Sequence, residues 1–201
     1  YVPPNGVVPM LPIHKKYLQG RDIDPDEAEA LWGMQGIGLS SRLSWRLFLP
    51  ATDRKGIPQS WTTRAIHDRG IRYVSAQPHE EAVGLKELLY GAHLAQHAVL
   101  VVEGPLDAVR VGPGAVATAG VNWSRVQAQA LAQFPLRLIC FDQEGPAQRR
   151  AKALCEMLAA HPGSTTLVEL KSGKDPGDCE EWELQELRRM LRSRRHSSMQ
   201  A

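Results

Sequence analysis

The sequence has few cysteines, and their spacing argues against two common classes of small protein. Cys140, Cys155 and Cys179 are odd in number and far apart. They form neither a CxxC pair nor the framework of a disulfide-rich secreted domain. A zinc ribbon cannot be built from them either. We therefore expect a reduced, cytoplasmic setting for this chain.

Long apolar runs and a strong net charge are also lacking. No apolar stretch approaches the ~20 residues that span a bilayer, so no membrane association is expected. The chain opens at Tyr1 without a charged-then-apolar secretory start, and we expect it to be a fragment of a longer protein. The net charge of +2 does not by itself indicate a nucleic-acid partner. There is no Walker Gly-Lys-Ser/Thr element, which argues against a helicase motor in this chain.

The second half of the chain contains three acidic clusters in order, each placed where a strand is expected to end. They are Glu103 with Asp107, Asp142 with Glu144, and Asp175 with Asp178. The first two clusters follow short apolar runs at 98–102 and 136–141, which predict buried parallel strands. In an open α/β sheet, functional groups collect just beyond the carboxyl ends of the strands. We therefore expect the three clusters to meet at one edge of a sheet.

Carboxylates brought together in this way predict a divalent cation, because they would otherwise repel one another. Oxygen ligands without His or Cys suit Mg²⁺ or Mn²⁺ rather than zinc. Asp142 and Glu144 alternate around Gln143, which places both carboxylates on one side of an extended segment. The pattern favours metal-assisted phosphoryl chemistry.

Each acidic cluster also has a simpler interpretation, and the residues alone leave these alternatives open. Glu103 could cap the helix that follows it, because a helix N-terminus favours an anion. The cluster at Asp142 could be a solvated acidic turn. Pro176 fixes φ and Gly177 can adopt a positive φ, so a tight turn could direct the third pair at the cation or simply be a surface turn.

The second half of the chain alternates between strand and helix patterns from residue 98 onward. Strands are predicted at 98–102, 115–118, 136–141 and 165–170, and helices at 105–111, 124–134, 147–160 and 180–194. This alternation predicts an α/β fold, with a parallel sheet flanked by helices.

The first half predicts a smaller α+β lobe. An extended arm at 1–12 precedes a short helix that Asp24 caps, with Pro25 at its first position. Two strands at 45–50 and 57–65 flank a hairpin turn, and a helix is predicted at 82–96. The predicted organisation is thus an N-terminal lobe at 1–95, a parallel-sheet domain at 96–179, and a basic helix and tail at 180–201.

The three acidic motifs together resemble those of the Toprim domain, which DnaG-type primases, topoisomerases and some nucleases share. The motifs are Glu-Gly-x-x-Asp at 103–107, Asp-x-Glu at 142–144 and Asp-Pro-x-Asp at 175–178. The upstream segment resembles the primase-specific half of a DnaG-type RNA polymerase domain. The matching phrases lie at 17–21, 46–56, 61–64, 72–75 and 86–91. The resemblance extends roughly from Tyr17 to Asp178.

The resemblance implies a DNA primase catalytic core that joins ribonucleoside triphosphates into short RNA primers on single-stranded DNA. It implies catalytic roles for Glu103, Asp142 and Glu144, with Glu103 as a general base or a metal ligand. These residues and Asp107, Asp175 and Asp178 would hold Mg²⁺ or Mn²⁺. The residues implied to contact nucleotide or DNA are Arg46, Arg64, Arg72, Tyr73 and Lys86.

The sequence departs from the family pattern at several points. Glu144 stands where the family usually has Asp, and the third motif has one extra residue. No zinc module is present in these 201 residues, so we expect poor unaided initiation. A zinc-binding module and a replicative helicase are expected partners supplied elsewhere, and a phage or plasmid source is expected. The alternatives are a Toprim nuclease or topoisomerase-like protein, and a non-catalytic Toprim module that binds nucleic acid.

Overall fold

The computed structural model describes residues 1–40, 42–67 and 70–192, so the predicted tail from Ser193 lies outside the described residues. The first half forms an antiparallel sheet in the order β1-β2-β3-β4-β5, with two helices. Its elements are β1 Val7–Val8, α1 Pro12–Gln19, α2 Pro25–Trp32, β2 Gln35–Ile37, β3 Arg46–Thr52, β4 Pro58–Ala65 and β5 Tyr73–Ser75. We call this part the antiparallel lobe.

The second half forms a parallel sheet in the order β7-β6-β8-β9, in which every pairing between neighbouring strands is parallel. Its elements are β6 Ala98–Val102, α3 Pro105–Val111, β7 Ala115–Ala117, α4 Arg125–Leu131, β8 Leu136–Ile139, α5 Gly145–Ala159, β9 Ser164–Leu167 and α6 Glu181–Arg192. We call this part the parallel lobe. It confirms the predicted α/β fold with a smaller preceding lobe.

Local sequence explains several of these elements. The Asp24 side chain accepts hydrogen bonds from the backbone N–H groups of Asp26 and Glu27, and Pro25 opens α2 as predicted. The segment predicted as an extended arm supplies the edge strand β1, and the chain becomes helical at Pro12.

No helix in the described part of the chain is long and apolar enough to cross a membrane.

The two lobes share one buried core. Leu47, Leu49 and Ala51 of β3 belong to the same apolar cluster as Leu100 and Val102 of β6. The opposite face of β3 contributes to a separate cluster of the antiparallel lobe, which includes Phe48 and Trp61. Side chains alternate between the faces of a strand. The inner face of the antiparallel sheet is therefore the face that meets the parallel lobe.

The helix predicted at 82–96 is wrong. The chain forms two short 3₁₀ turns, Leu85–Glu87 and Ala92–Leu94, and Tyr90 between them pairs through its backbone with Ala117 at the end of β7. Gly91 has a φ of +85°, and a Cβ there would lie 2.4 Å from the Trp32 ring. The bridge to β7 uses the backbone N–H and C=O of Tyr90. These two groups are then not available for the hydrogen bonds of a helix.

Candidate active site

A cleft of about 370 Å³ lies between the two lobes, and its walls have opposite charge. The parallel lobe contributes the acidic wall, which consists of Glu103, Asp107, Asp142, Asp175 and Asp178. The antiparallel lobe contributes Arg21, Arg64, Arg72 and Tyr73. The structure therefore brings together members of all three predicted acidic motifs and three of the five residues predicted to contact nucleotide or DNA.

The first two acidic motifs are joined by one hydrogen bond at the ends of β6 and β8. Glu103 directly follows β6, and its Oε1 accepts a hydrogen bond of 3.1 Å from the backbone N–H of Asp142. Asp107 lies in the first turn of α3, and its Oδ2 accepts a hydrogen bond of 3.1 Å from the backbone N–H of Gly104. Parallel strands end at the same edge of the sheet, which is why these carboxylates converge.

The third motif approaches Asp107 through a residue that has no side chain. A Cβ at Gly177 would lie 2.2 Å from Asp107 Oδ1 and 3.2 Å from Asp175 Oδ1. Among the glycines that the structure describes, Gly177 is not one of those with a positive φ. The predicted tight turn is thus present, but Gly177 is required for close approach rather than for its φ. Asp178 is more exposed, and its Oδ1 lies 3.8 Å from Arg21 Nη2.

Glu144 lies at the margin of this group. It is exposed at the start of α5 and does not line the cleft, although its charge helps to raise the pKa of Asp142. The structure therefore brings five of the six predicted metal ligands into the cleft, with Glu144 beside it. The role of Glu144 as a catalytic residue and metal ligand stays a prediction.

Burial and mutual repulsion make three of these carboxyl groups harder to ionise. The pKa of Glu103 is raised to about 7, mainly by desolvation and next by the charge of Asp142. The pKa of Asp107 is raised to about 7 and that of Asp142 to about 6, in both cases mainly by desolvation and next by the charge of Asp175. Such shifts occur where carboxylates crowd without a compensating cation. They cluster at functional sites more often than elsewhere.

Two oxygens in this group are chemically suited to a cation. Asp142 Oδ1 and Asp175 Oδ1 are buried and have no hydrogen-bond partner among the described residues. A buried carboxylate oxygen without a partner is costly, and a divalent cation would satisfy it. Among the residues that the structure describes, no three His, Cys, Asp or Glu side chains are arranged, in their present conformations, to hold a metal ion. The donor atoms fit Mg²⁺ or Mn²⁺, and binding would require these side chains to turn toward a common point.

The raised pKa values predict how the metal-free protein responds to pH. A carboxyl group with a higher pKa in the folded state binds more protons there than in the unfolded state. Its contribution to stability is therefore complete below about pH 4 and is lost as the pH rises to about 7. We expect the Tm in EDTA to fall across this range, and Mn²⁺ to restore it increasingly as the pH rises. Differential scanning fluorimetry measures both effects. The Tm in EDTA also reflects His14, whose pKa burial lowers, so the decisive result is the effect of Mn²⁺: a stabilisation that did not increase with pH would contradict the crowding of these groups.

The basic wall is built around Arg64 on the inner face of β4. Arg64 Nε donates a hydrogen bond of 3.0 Å to the Tyr17 hydroxyl, and its guanidinium lies 5.1 Å from the centre of the Tyr73 ring. Burial, followed by the charge of Asp107, raises the pKa of Tyr73 to about 12. Arg72 is exposed at the rim of the cleft. Two tyrosines thus hold Arg64 in place, while Arg72 is exposed to solvent at the rim of the cleft.

Arg46 lies away from the cleft. It is buried, and its guanidinium donates hydrogen bonds to Thr63 and to the backbone carbonyls of Ile71 and Arg72. Thr63 lies opposite Phe48 in the β3–β4 register, and Phe48 belongs to the outer cluster. Arg46 therefore ties together strands β3 and β4 and the segment just before β5. The role of Arg46 in contacting nucleotide or DNA stays a prediction, and the hydrogen bonds just described do not support it.

The ammonium group of Lys86 contacts the main chain, although the residue is exposed. Its Nζ donates hydrogen bonds to the carbonyls of Thr118, Ala119 and Asn122, at 2.8–3.1 Å. This loop borders the cleft through Ala119 and Gly120, and Ala119 has a φ of 56°. Lys86 therefore stabilises a loop next to Glu103. Its predicted role in binding phosphate stays a prediction.

Sequence reasoning missed two arginines near the acidic group. Arg21 lines the cleft, and it lies within a phrase that the resemblance matched but to which no role was given. Arg110 on α3 is buried and donates hydrogen bonds to the loop of the third motif. Its position three residues after Asp107, on the same helix, is the signal that could have revealed it.

No protein-family model matches the sequence, and no curated protein matches it. The structure is similar to solved primases. The Aquifex aeolicus primase, with zinc-binding and RNA polymerase domains, is 19% identical with a TM-score of 0.75, and the match covers 90% of this chain and 55% of that one. A DnaG primase catalytic domain bound to single-stranded DNA is 18% identical with a TM-score of 0.75, and the match covers 89% of this chain and 72% of that one.

A third similar structure is the RNA polymerase domain of Mycobacterium tuberculosis DnaG, in complex with a double-stranded DNA oligomer that has a 6-nucleotide overhang. It is 18% identical with a TM-score of 0.69, and the match covers 90% of this chain and 72% of that one. The chain thus spans little more than half of the Aquifex aeolicus chain. It has the fold of DnaG primase catalytic cores, which confirms the resemblance inferred from the motifs.

Proposed function

We propose that this chain is the catalytic core of a DNA primase, which joins ribonucleotides on a single-stranded DNA template. The observation that carries the proposal is the cleft with an acidic and a basic wall, in a fold shared with DnaG catalytic cores. A triphosphate and a template strand are both polyanions, so they require a basic surface. The acidic wall suits the cations that accompany phosphoryl transfer.

The residues that would hold the cations are Glu103, Asp107, Asp142, Asp175 and Asp178, with Glu144 at the margin. When bound, Mg²⁺ or Mn²⁺ would neutralise charge on the triphosphate and favour attack by a 3′-hydroxyl. Arg64 and Arg72 face this group across the cleft and would bind phosphate oxygens. Because Tyr17 and the Tyr73 ring hold the Arg64 guanidinium, little side-chain entropy is lost when it binds an anion.

Two other functions remain distinct alternatives: a Toprim nuclease or topoisomerase-like protein, and a module that binds nucleic acid without catalysis. The test incubates the 201-residue chain with Mn²⁺, labelled ribonucleotides and a single-stranded DNA template carrying a short annealed RNA primer. The annealed primer removes the need for unaided initiation. Template-dependent extension of the primer supports the proposal. Cleavage of the template would indicate a nuclease, and binding without either reaction would indicate a non-catalytic module.

A second prediction concerns template binding by the basic wall. Arg72→Gln should weaken the binding of single-stranded DNA to a similar degree for all sequences, because a phosphate contact carries no sequence information. The slope of log affinity against log salt should become shallower by about 0.7, the value for one phosphate contact on a single strand. Fluorescence anisotropy at several salt concentrations measures both quantities.

Arg42→Gln is the matched control for this prediction. Arg42 is also exposed, but it pairs with Glu80 at 3.1 Å and does not line the cleft. We expect its substitution to leave the slope unchanged. Equal slopes for the parent protein and the Arg72 variant would mean that the template does not cross this rim of the cleft.

A further inference from the structure

The buried Arg110 holds the loop of the third acidic motif by its backbone. Only 5% of Arg110 is exposed. Its Nη1 donates a hydrogen bond of 3.1 Å to the carbonyl of Pro176, and its Nη2 donates one of 3.0 Å to the carbonyl of Cys179. The Cys179 thiol also lies 3.4 Å from Nη1. The two arms of the guanidinium thus contact the residues on either side of Gly177 and Asp178.

This loop has little regular structure of its own. The segment 168–180 lies between β9 and α6 and belongs to no helix or strand in the described structure. Within the turn, the N–H of Asp178 donates a hydrogen bond of 3.1 Å to the carbonyl of Asp175. Pro176, Gly177 and Cys179 are buried, so their carbonyls have limited access to water. Buried carbonyls need a partner, and Arg110 supplies one for two of them.

The same helix turn positions Asp107. Asp107 and Arg110 are three residues apart on α3, so they lie on neighbouring parts of one helix face. Gly177 is so close to Asp107 that a methyl group could not fit between them. Helix α3 therefore holds both one carboxylate of the cleft and, through Arg110, the loop that carries Asp175 and Asp178.

We propose that Arg110 is a positioning residue, which sets the placement of Asp175 and Asp178 relative to Asp107 and thereby the affinity for a divalent cation. The proposal rests on the proposed function, because it assumes that these carboxylates bind the cation. The fork of the guanidinium is the essential feature. A lysine has one nitrogen and cannot reach both carbonyls with the same geometry.

An ion pair to the antiparallel lobe contributes little to this arrangement. Arg110 Nη2 lies 3.5 Å from Asp22 Oδ2, and the Asp22 side chain is 79% exposed. Exposed ion pairs contribute little, because water and salt screen them. Asp22→Asn is therefore the matched control, since it removes the acidic partner that the described residues give Arg110 and leaves the hydrogen bonds to the loop intact.

The experiment compares the parent protein with Arg110→Met, Arg110→Lys and Asp22→Asn. Free Mn²⁺ is titrated by electron paramagnetic resonance, and amide exchange at Asp178 is followed by NMR without metal. Arg110→Met should lower Mn²⁺ affinity by about 10-fold or more, as removal of outer-sphere partners does. It should also speed exchange at Asp178. Arg110→Lys should fall between the parent protein and Arg110→Met, and Asp22→Asn should match the parent.

The two measurements separate this inference from the proposed function. If the parent protein binds no Mn²⁺, the cation site fails, and amide exchange at Asp178 still decides whether Arg110 orders the loop. If Arg110→Met does not fold, Arg110→Lys decides by the same two measurements, because it retains the charge and most of the packing. Unchanged affinity and exchange in a folded Arg110 variant would overturn the inference.

Discussion

Asp142→Asn should reduce primer extension by at least about 100-fold, since even the loss of an outer-sphere partner costs 10- to 100-fold at a metal site. Asp142 Oδ1 is a buried oxygen without a hydrogen-bond partner in the part of the chain that the structure describes, and its carboxylate lies among those of Glu103 and Asp175. The substitution preserves shape but removes the charge that a cation would need. Extension of an annealed primer with Mn²⁺, measured over a range of metal concentrations, gives the loss and shows whether excess metal restores activity.

The same variant should be at least as stable as the parent without metal. Removing one charge from a crowded acidic group relieves repulsion, so the Tm in EDTA at pH 8 should stay equal or rise. This result would separate a lost metal ligand from a damaged fold. Glu156→Gln is the matched control, because Glu156 is an exposed carboxylate on α5 that does not line the cleft. Full activity of Asp142→Asn would refute the assignment of the acidic wall as the catalytic centre.

Gly91→Ala should cause a large loss of stability at a position away from the cleft. The φ of +85° costs an alanine about 1–2 kcal/mol. The added Cβ would lie 2.4 Å from Trp32, whose ring stacks on Tyr90 with centroids 5.5 Å apart. Overpacking of this kind typically costs a further 1–3 kcal/mol. A total of about 3 kcal/mol corresponds to a fall in Tm of roughly 6–12 °C for a chain of this size.

Gly70→Ala isolates the backbone part of this cost. Gly70 has a φ of +81°, and a Cβ there would meet no described residue within 4 Å. Thermal unfolding of the two variants under one condition should therefore show the smaller loss for Gly70→Ala. Equal losses would mean that Trp32 moves aside without cost, and that the packing between α2 and the 85–94 segment is looser than it is in this structure.

Much of the parallel lobe could be predicted from the sequence, because its signals are local. The apolar runs at 98–102 and 136–141 correspond to β6 and β8, and Pro105 opens α3 as expected. Acidic residues just beyond the first two buried strands predicted that these motifs would meet, since parallel strands end at one edge. The third motif lies in the loop between β9 and α6 rather than directly at the end of a strand. Members of all three motifs do line one cleft.

Contacts between distant segments could not be predicted in this way. The pattern at 82–96 favours a helix, yet the backbone of Tyr90 pairs with Ala117 and Gly91 lies against Trp32. Arg46 and Arg64 occupy the same pair of strands and look equivalent in sequence. Only Arg64 lines the cleft, because the strand pleat directs the two side chains to opposite faces.

The order of strands and helices in the parallel lobe and the identity of the acidic motifs follow from the amino-acid sequence, because apolar periodicity and turn residues act over a few neighbours. The tertiary structure decided which charged groups act together. Arg110 contacts a loop more than 60 residues away in the chain, and Lys86 contacts one more than 30 residues away. Burial raises the pKa values of Glu103 and Asp107 only once the lobes enclose them. Distances and desolvation depend on the assembled fold, and no local pattern encodes them.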